Sequence, residues 1–208
     1  FLRDLDRQLS AAGEAPLAPA VVPVRFAIWM GGDRDGNPNV TAAVTREVLM
    51  LARWMAADLF LRDVEGLQAQ LSMTRATGEL RRLAGAEARE PYREVLRDLR
   101  ERLRRTRDWA EALDPVPPAG GEALVLTREN LEGPLLACHR SLVACGMGEI
   151  ARGELLDTLR RVACFGVHLV RLDVRQSADR HTEVLDAVTA ELGLLDEAGG
   201  SYASWAEP

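Results

Sequence analysis

The sequence predicts a mainly helical chain carrying two β-strands, set as parallel neighbours in an α/β sheet or barrel. Three observations lead there. Apolar residues recur at helical spacing over most of the 208 residues. Apolar residues alternate with others in only two stretches, Val24 to Met30 and Val167 to Arg175. Several helices separate those stretches, which argues against a hairpin and fits strands joined by helical crossovers. Hydrophobic residues make up 47% of the chain, enough for a sizeable core, and residues 1–208 read as a single structural unit.

The first helix shows Leu2, Leu5 and Leu9 on one side, and the Gly, Ala and Pro of Ala12 to Pro23 make a connector. Val24, Phe26, Ile28 and Met30 then alternate with Arg25, Ala27 and Trp29 as a strand running into Gly31-Gly32. Thr41 has the hydroxyl to cap the following long helix, in which Val44, Val48, Leu51, Met55 and Leu59 predict the buried face. Thr77 caps a short helix through Leu83, and Pro91 suits the first turn of a long one striped by Tyr92, Val95, Leu96, Leu99 and Leu103. Its Arg/Glu-dense remainder, Arg93 to Arg107, reads as a solvated face of spaced ion pairs. Asp114 to Gly121 is an exposed Pro/Gly loop and the best site for proteolytic nicking. Thr127 reopens a helix through Leu131, Leu135 and Leu142 to Gly146, and a further helix from Leu155 to Val162 closes at Gly166.

A net charge of −6 with 28% charged residues describes an acidic protein and argues against general nucleic-acid binding. Cys138, Cys145 and Cys164 form no CxxC pair and leave an odd count, which fits reduced thiols rather than a disulfide framework or a thiolate zinc site. No apolar run approaches the roughly 20 residues of a membrane span, and Phe1 to Ser10 lacks a signal peptide's apolar core. A cytosolic protein is expected. The missing initiator methionine and the unfinished Trp205-Ala206-Glu207-Pro208 end lead to the expectation of a piece cut from a longer chain.

Arg171, Asp173 and Arg175 alternate with Val170, Leu172 and Val174, so a strand places the three charges on one face. In a closed barrel that face points inward, with Arg175 nearest the strand's carboxyl end, where barrel active sites are built. A guanidinium there suits phosphate or carboxylate, whereas Asp173 paired internally with Arg171 or Arg175 is the alternative. Gly31-Gly32 permits close approach of a ligand, and Asp33, Arg34 and Asp35 put charge before the N-terminus of the Thr41 helix. An ordinary turn built on Asp-Gly and Asn-Pro is the competing reading. Asp33, Asp35 and Asn37 fail as a calcium loop, because Gly36 comes too early and Val44 stands where a bidentate glutamate belongs. His181 reads as a general acid or base or as a helix-start residue, His139 as a helix residue, and His168 as a structural histidine on the apolar side of its strand.

Phe26-Ala27-Ile28-Trp29-Met30-Gly31-Gly32-Asp33-Arg34-Asp35-Gly36-Asn37-Pro38-Asn39-Val40-Thr41 closely resembles the WMGGDRDGNPNVT signature of phosphoenolpyruvate carboxylases. Phe165 to Gln176 with Arg180-His181-Thr182 resembles the same family's FG-LVR-D-RQ-S-RHT segment, and the similarity extends over essentially the whole chain. The resemblance implies an internal segment of a large, helix-rich cytosolic homotetramer built round a TIM-type β/α barrel. Such an enzyme adds bicarbonate to phosphoenolpyruvate with Mg2+ or Mn2+, giving oxaloacetate and phosphate. It implies that Arg175 helps hold the substrate phosphate and that Arg34, with Arg171 beside it in the substrate-binding set, borders the active site. Asp33, Asp35, Asp173, Gly31 and Gly32 would support them. The family's TAHPT-type, GYSDSxKD-type and FHGRGG-type segments are absent from these residues, as are its acidic metal ligands, so no metal is assigned to this chain and the chain alone is expected to be inactive. A noncatalytic helical domain that binds an anion or serves subunit assembly is the alternative.

Overall fold

The structure is a computed structural model and describes residues 1–85, 87–114, 116–118, 123–194 and 201–202. Helices dominate it. The single unit expected over 1–208 meets a chain whose contacts divide into two compact units: Phe1–Phe26 with Leu49–Arg171, and Ala27–Val48 with Leu172–Pro208.

The helices are α1 (Leu2–Ala11), α2 (Ala42–Gln70), α3 (Gly78–Ala84), α4 (Pro91–Glu111), α5 (Arg128–Ala144), the single turn α6 (Gly148–Ile150), α7 (Leu156–Phe165) and α8 (Ala178–Glu191). A five-residue π-helical turn, Ala151–Leu155, leads into α7. The strands are β1 (Ala27–Ile28) and β2 (Arg171–Leu172), each much shorter than the alternation predicts.

The larger unit is a helical core. Tyr92, Val95, Leu96, Leu99 and Leu103 of α4 are all buried, as the spacing requires, against Leu131, Leu135 and Leu142 of α5 and Leu155, Leu159 and Val162 around α7. The expected caps form. Thr77 accepts from the Leu80 N–H, and Thr127 and Asn130 make a reciprocal capping box. The outer face of α4 carries the expected ion pairs, among them Arg97 with Glu94 at 2.8 Å and Arg104 with Glu101 at 2.6 Å.

Ser141 of α5 is fully buried and joins three elements. Its Oγ accepts from the Thr77 N–H at 3.0 Å and lies 2.8 Å from the Tyr92 hydroxyl. The N-terminal end of α3 and the first turn of α4 are thereby pinned to one atom of α5. Helix α1 buries no residue fully, and polar contacts hold it. Arg160, only 3% exposed, pairs with Asp6 and donates to the Leu17 carbonyl at 3.3 Å. Desolvation works to raise the Asp6 pKa, but the Leu17 N–H and Arg160 override it and leave the carboxyl below its ordinary value. Cys138 is buried, and desolvation pushes its thiol up to about 12.

Helix α2 departs from its predicted face. Ala56, Phe60, Val64 and Leu67 form the buried stripe, whereas Leu51, Met55 and Leu59 are 49%, 40% and 42% exposed. The helix is apolar on two adjoining faces, and spacing alone does not say which one meets the core. Asp114, Val116, Pro117 and Pro118 are exposed, while Pro115 and 119–121 of the Pro/Gly loop lie outside the described residues.

In the smaller unit the Asp173 N–H donates to Ile28 O at 2.7 Å, the Arg175 N–H to Gly32 O at 2.9 Å and the Arg34 N–H to Arg175 O at 2.9 Å. This is parallel pairing, completed by an isolated bridge between Asp33 and Arg175. Thr41 caps α2 as expected, its Oγ1 accepting from the Val44 N–H at 3.3 Å. Helix α8 starts at Ala178, so His181 lies inside it and not at its start. No described helix is long and apolar enough to cross a membrane.

Removing the Ser141 hydroxyl deprives the buried Tyr92 hydroxyl and the half-buried Thr77 N–H of a partner at once. Ser141→Ala is expected to lower unfolding free energy by about 1–3 kcal/mol, and Tyr92→Phe by about 1 kcal/mol, both read from denaturant midpoints.

Candidate functional site

The smaller unit collects Gly31, Gly32, Asp33, Arg34, Asp35, Asp173 and Arg175; Arg171 belongs to the larger unit. The Gly32 N–H donates to Trp29 O at 2.9 Å, closing a turn whose third residue, Gly31, has φ of +81°. A type II turn requires that geometry, which glycine adopts without strain. The turn inserts extra residues between the Ile28 and Gly32 carbonyls, which receive the N–H groups of Asp173 and Arg175. Gly32 is buried, and a Cβ there would stand 2.2 Å from Asp173 O. Only glycine lets the two segments approach this closely.

Beyond the turn, Arg34 and Arg175 meet through their backbones, since the Arg34 N–H donates to Arg175 O. Two arginines from the two motifs thus become neighbours. The Arg175 guanidinium lies over the Trp29 ring, 4.9 Å from its centroid, and reaches Asp173 only at 3.9 Å with both side chains more than half exposed. The internal ion pair considered from sequence is therefore a loose, solvated contact of small energetic weight. The Arg34 Nη2 donates to Thr45 Oγ1 at 2.9 Å, and Thr45 Oγ1 donates to Gly31 O at 2.7 Å.

The alternating charges do not face an interior here: Arg171, Asp173 and Arg175 are exposed, and so is Val174 on the opposite side. Asp33 and Asp35 form a turn, the Asp35 N–H donating to Asp33 Oδ1 at 3.3 Å, so the ordinary-turn reading also holds for that part of the loop. Among the described residues no group of three or more His, Cys, Asp or Glu side chains is placed to hold a metal ion, and these residues do not fit a divalent-metal centre. His181 is exposed and His139 half-buried. His168 precedes β2 and is not on its apolar side. Its Nδ1 is 3.2 Å from Arg53 Nη2, and partial desolvation, then Arg53, hold the imidazole below its ordinary pKa.

Sequence reasoning missed Thr45 and Trp29. Thr45 follows Thr41 by one helical turn, and Trp29 is the strongest cation–π partner next to the glycines, so both had a signal. A separate cavity of about 520 Å3 in the larger unit, walled by residues including Phe26, Phe165 and Arg161, contains none of the residues selected from sequence.

Fold and site define a helix-rich α/β segment that presents two arginines beside a glycine turn at a strand end. A family model for phosphoenolpyruvate carboxylase matches residues 1–208, and the chain belongs to that family. It is 57% identical over 207 residues to a phosphoenolpyruvate carboxylase of Ectopseudomonas mendocina (strain ymp) and 54% identical over 207 residues to one of Marinobacter nauticus (strain ATCC 700491 / DSM 11845 / VT8). Both alignments take in 100% of this chain and 23% of the relative. The chain therefore spans about a quarter of the length of the curated relatives it matches.

Gly32→Ala is expected to cost at least about 2 kcal/mol and to abolish hydrogen-exchange protection of the Arg175 amide, because the obstacle is a backbone oxygen. Gly36→Ala, where φ is +67° but no atom lies within 4 Å of the new Cβ, is the control and is expected to cost about 1 kcal/mol.

Proposed function

We propose that this chain supplies part of the phosphoenolpyruvate-binding wall of a phosphoenolpyruvate carboxylase, with Arg175 and Arg34 holding the phosphate and Arg171 contributing to the same substrate set. The observation behind this reading is the backbone hydrogen bond that sets Arg34 beside Arg175. Two arginines on hydrogen-bonded backbone positions suit a phosphate because each guanidinium offers planar, charge-assisted donors in a fixed fork. Neither is neutralised by a close carboxylate: Arg175 touches Asp173 only at 3.9 Å, and Arg34 makes no ion pair among the described residues. Asp33, Asp35 and Asp173, with Gly31 and Gly32, shape the loop and the strand end rather than touch the substrate.

In the complete enzyme, carboxylation of phosphoenolpyruvate by bicarbonate gives oxaloacetate and phosphate. The Mg2+ or Mn2+ of such an enzyme has its ligands outside this chain, as do further catalytic residues, so the isolated chain does not turn over. The complete enzyme is a cytoplasmic homotetramer whose TIM-type barrel takes its strands in part from β1 and β2. Calorimetry of the isolated chain with phosphoenolpyruvate separates a binding wall that works alone from one completed by the rest of the polypeptide.

A full-length enzyme carrying Arg175→Ala is expected to lose at least about a hundredfold in kcat/KM for phosphoenolpyruvate, and Arg175→Lys to recover only part of it. Unchanged kinetics in Arg175→Ala would remove this residue from the site.

The subunit-assembly reading has one observation in its favour, the uncovered Leu51, Met55 and Leu59 stripe of α2. On that reading the isolated chain associates in sedimentation experiments and Met55→Glu returns it to monomer; a monomer at all concentrations removes the reading.

A further inference from the structure

Thr45 occupies the first turn of α2 and is 8% exposed. Its hydroxyl offers one proton and two lone pairs. The proton goes to Gly31 O at 2.7 Å, with Thr41 O at 3.2 Å as the longer alternative, and a lone pair accepts from Arg34 Nη2 at 2.9 Å. No other side-chain hydrogen bond fixes the Arg34 guanidinium among the described residues, and its Nε is buried without a partner. The helix comes within reach because Gly31 has no side chain: a Cβ there would stand 2.5 Å from Val48 Cγ2.

We propose that Thr45 is a positioning residue for phosphoenolpyruvate binding, its hydroxyl holding the Arg34 guanidinium to the glycine turn. The proposal rests on the reading of Arg34 as a phosphate ligand. A carboxylate in the same place would grip Arg34 more strongly, but it would also neutralise the charge that attracts the substrate. A hydroxyl fixes the rotamer of a flexible side chain and leaves the positive charge intact. Because the same oxygen donates to Gly31 O, the turn and the guanidinium keep a fixed relation when a ligand pulls on the arginine. A small misplacement of a substrate-holding group weakens binding out of proportion to the bond lost.

The test uses the full-length enzyme with Thr45→Val, Thr45→Ser, Arg34→Ala and the Thr45→Val/Arg34→Ala double variant. Thr45→Val keeps the shape and deletes the hydroxyl; it is expected to raise KM for phosphoenolpyruvate about tenfold while KM for bicarbonate stays within about twofold. Thr45→Ser is expected to return KM to within about threefold of the parent, and Thr45→Val to add nothing in the Arg34→Ala background. Should Thr45→Val fail to fold, Thr45→Ala removes the hydroxyl with less volume and carries the same expectation. Equal KM increases with and without Arg34 would assign Thr45 a merely structural role and overturn the proposal. If Arg34→Ala raises KM and Thr45→Val does not, positioning fails while the phosphate-ligand reading stands. If Arg34→Ala leaves KM unchanged, both fall.

Discussion

Gly32 and Asp173 O approach so closely that no Cβ fits between them, and the site depends on this contact. With the backbones in register there, the Arg175 N–H reaches Gly32 O and the Arg34 N–H reaches Arg175 O. Those bonds bring the two motifs together. Upstream, the Gly31 turn takes up the surplus residues, and the absence of a side chain at Gly31 lets Val48 of α2 come near. Arg34 is then within reach of Thr45, and Arg175 of the Trp29 ring. Two glycines thus govern backbone distances, while neutral partners govern the directions of the charged side chains.

The larger unit is organised by different means. Apolar side chains of α2, α4, α5 and α7 make up the core, but Ser141 and Arg160 fix where the less apolar pieces attach. Each sits at the meeting of elements distant in sequence and satisfies groups that burial would otherwise leave unpaired. Loss of one partner of the Arg160 and Asp6 pair would leave a buried charge without compensation. Directional contacts of this kind specify attachment more than they add bulk stability.

Helix existence was largely legible because α4 has one apolar stripe and because Thr77 and Thr127 carry capping chemistry in the sequence itself. The face of α2 was not, since Leu51 and Phe60 belong to adjoining apolar faces and only tertiary packing chooses between them. Alternation overstated both strands. The turn at Trp29 to Gly32 interrupts the first, and β2 is paired over only part of the length in which Arg171, Asp173 and Arg175 alternate. Arg34 and Arg175 could be selected from residue type and resemblance, yet their direct backbone contact is a matter of register across a long separation. Thr45 and Trp29 went unread although spacing from Thr41 and an indole beside the glycines marked them, because which arginine each one holds follows only from the register of the folded segments.

All three cysteines, Cys138, Cys145 and Cys164, fall within the larger unit, and the smaller unit has none. With its thiol protonated and enclosed at neutral pH, Cys138 reacts with an alkylating reagent only when the helices around it open. Labelling of Cys138, followed apart from the partly exposed Cys145 and Cys164, therefore times the opening of one unit and is blind to the other. A substitution at the arginine site can be followed in this way for damage that spreads into the helical core, without adding a probe to the protein.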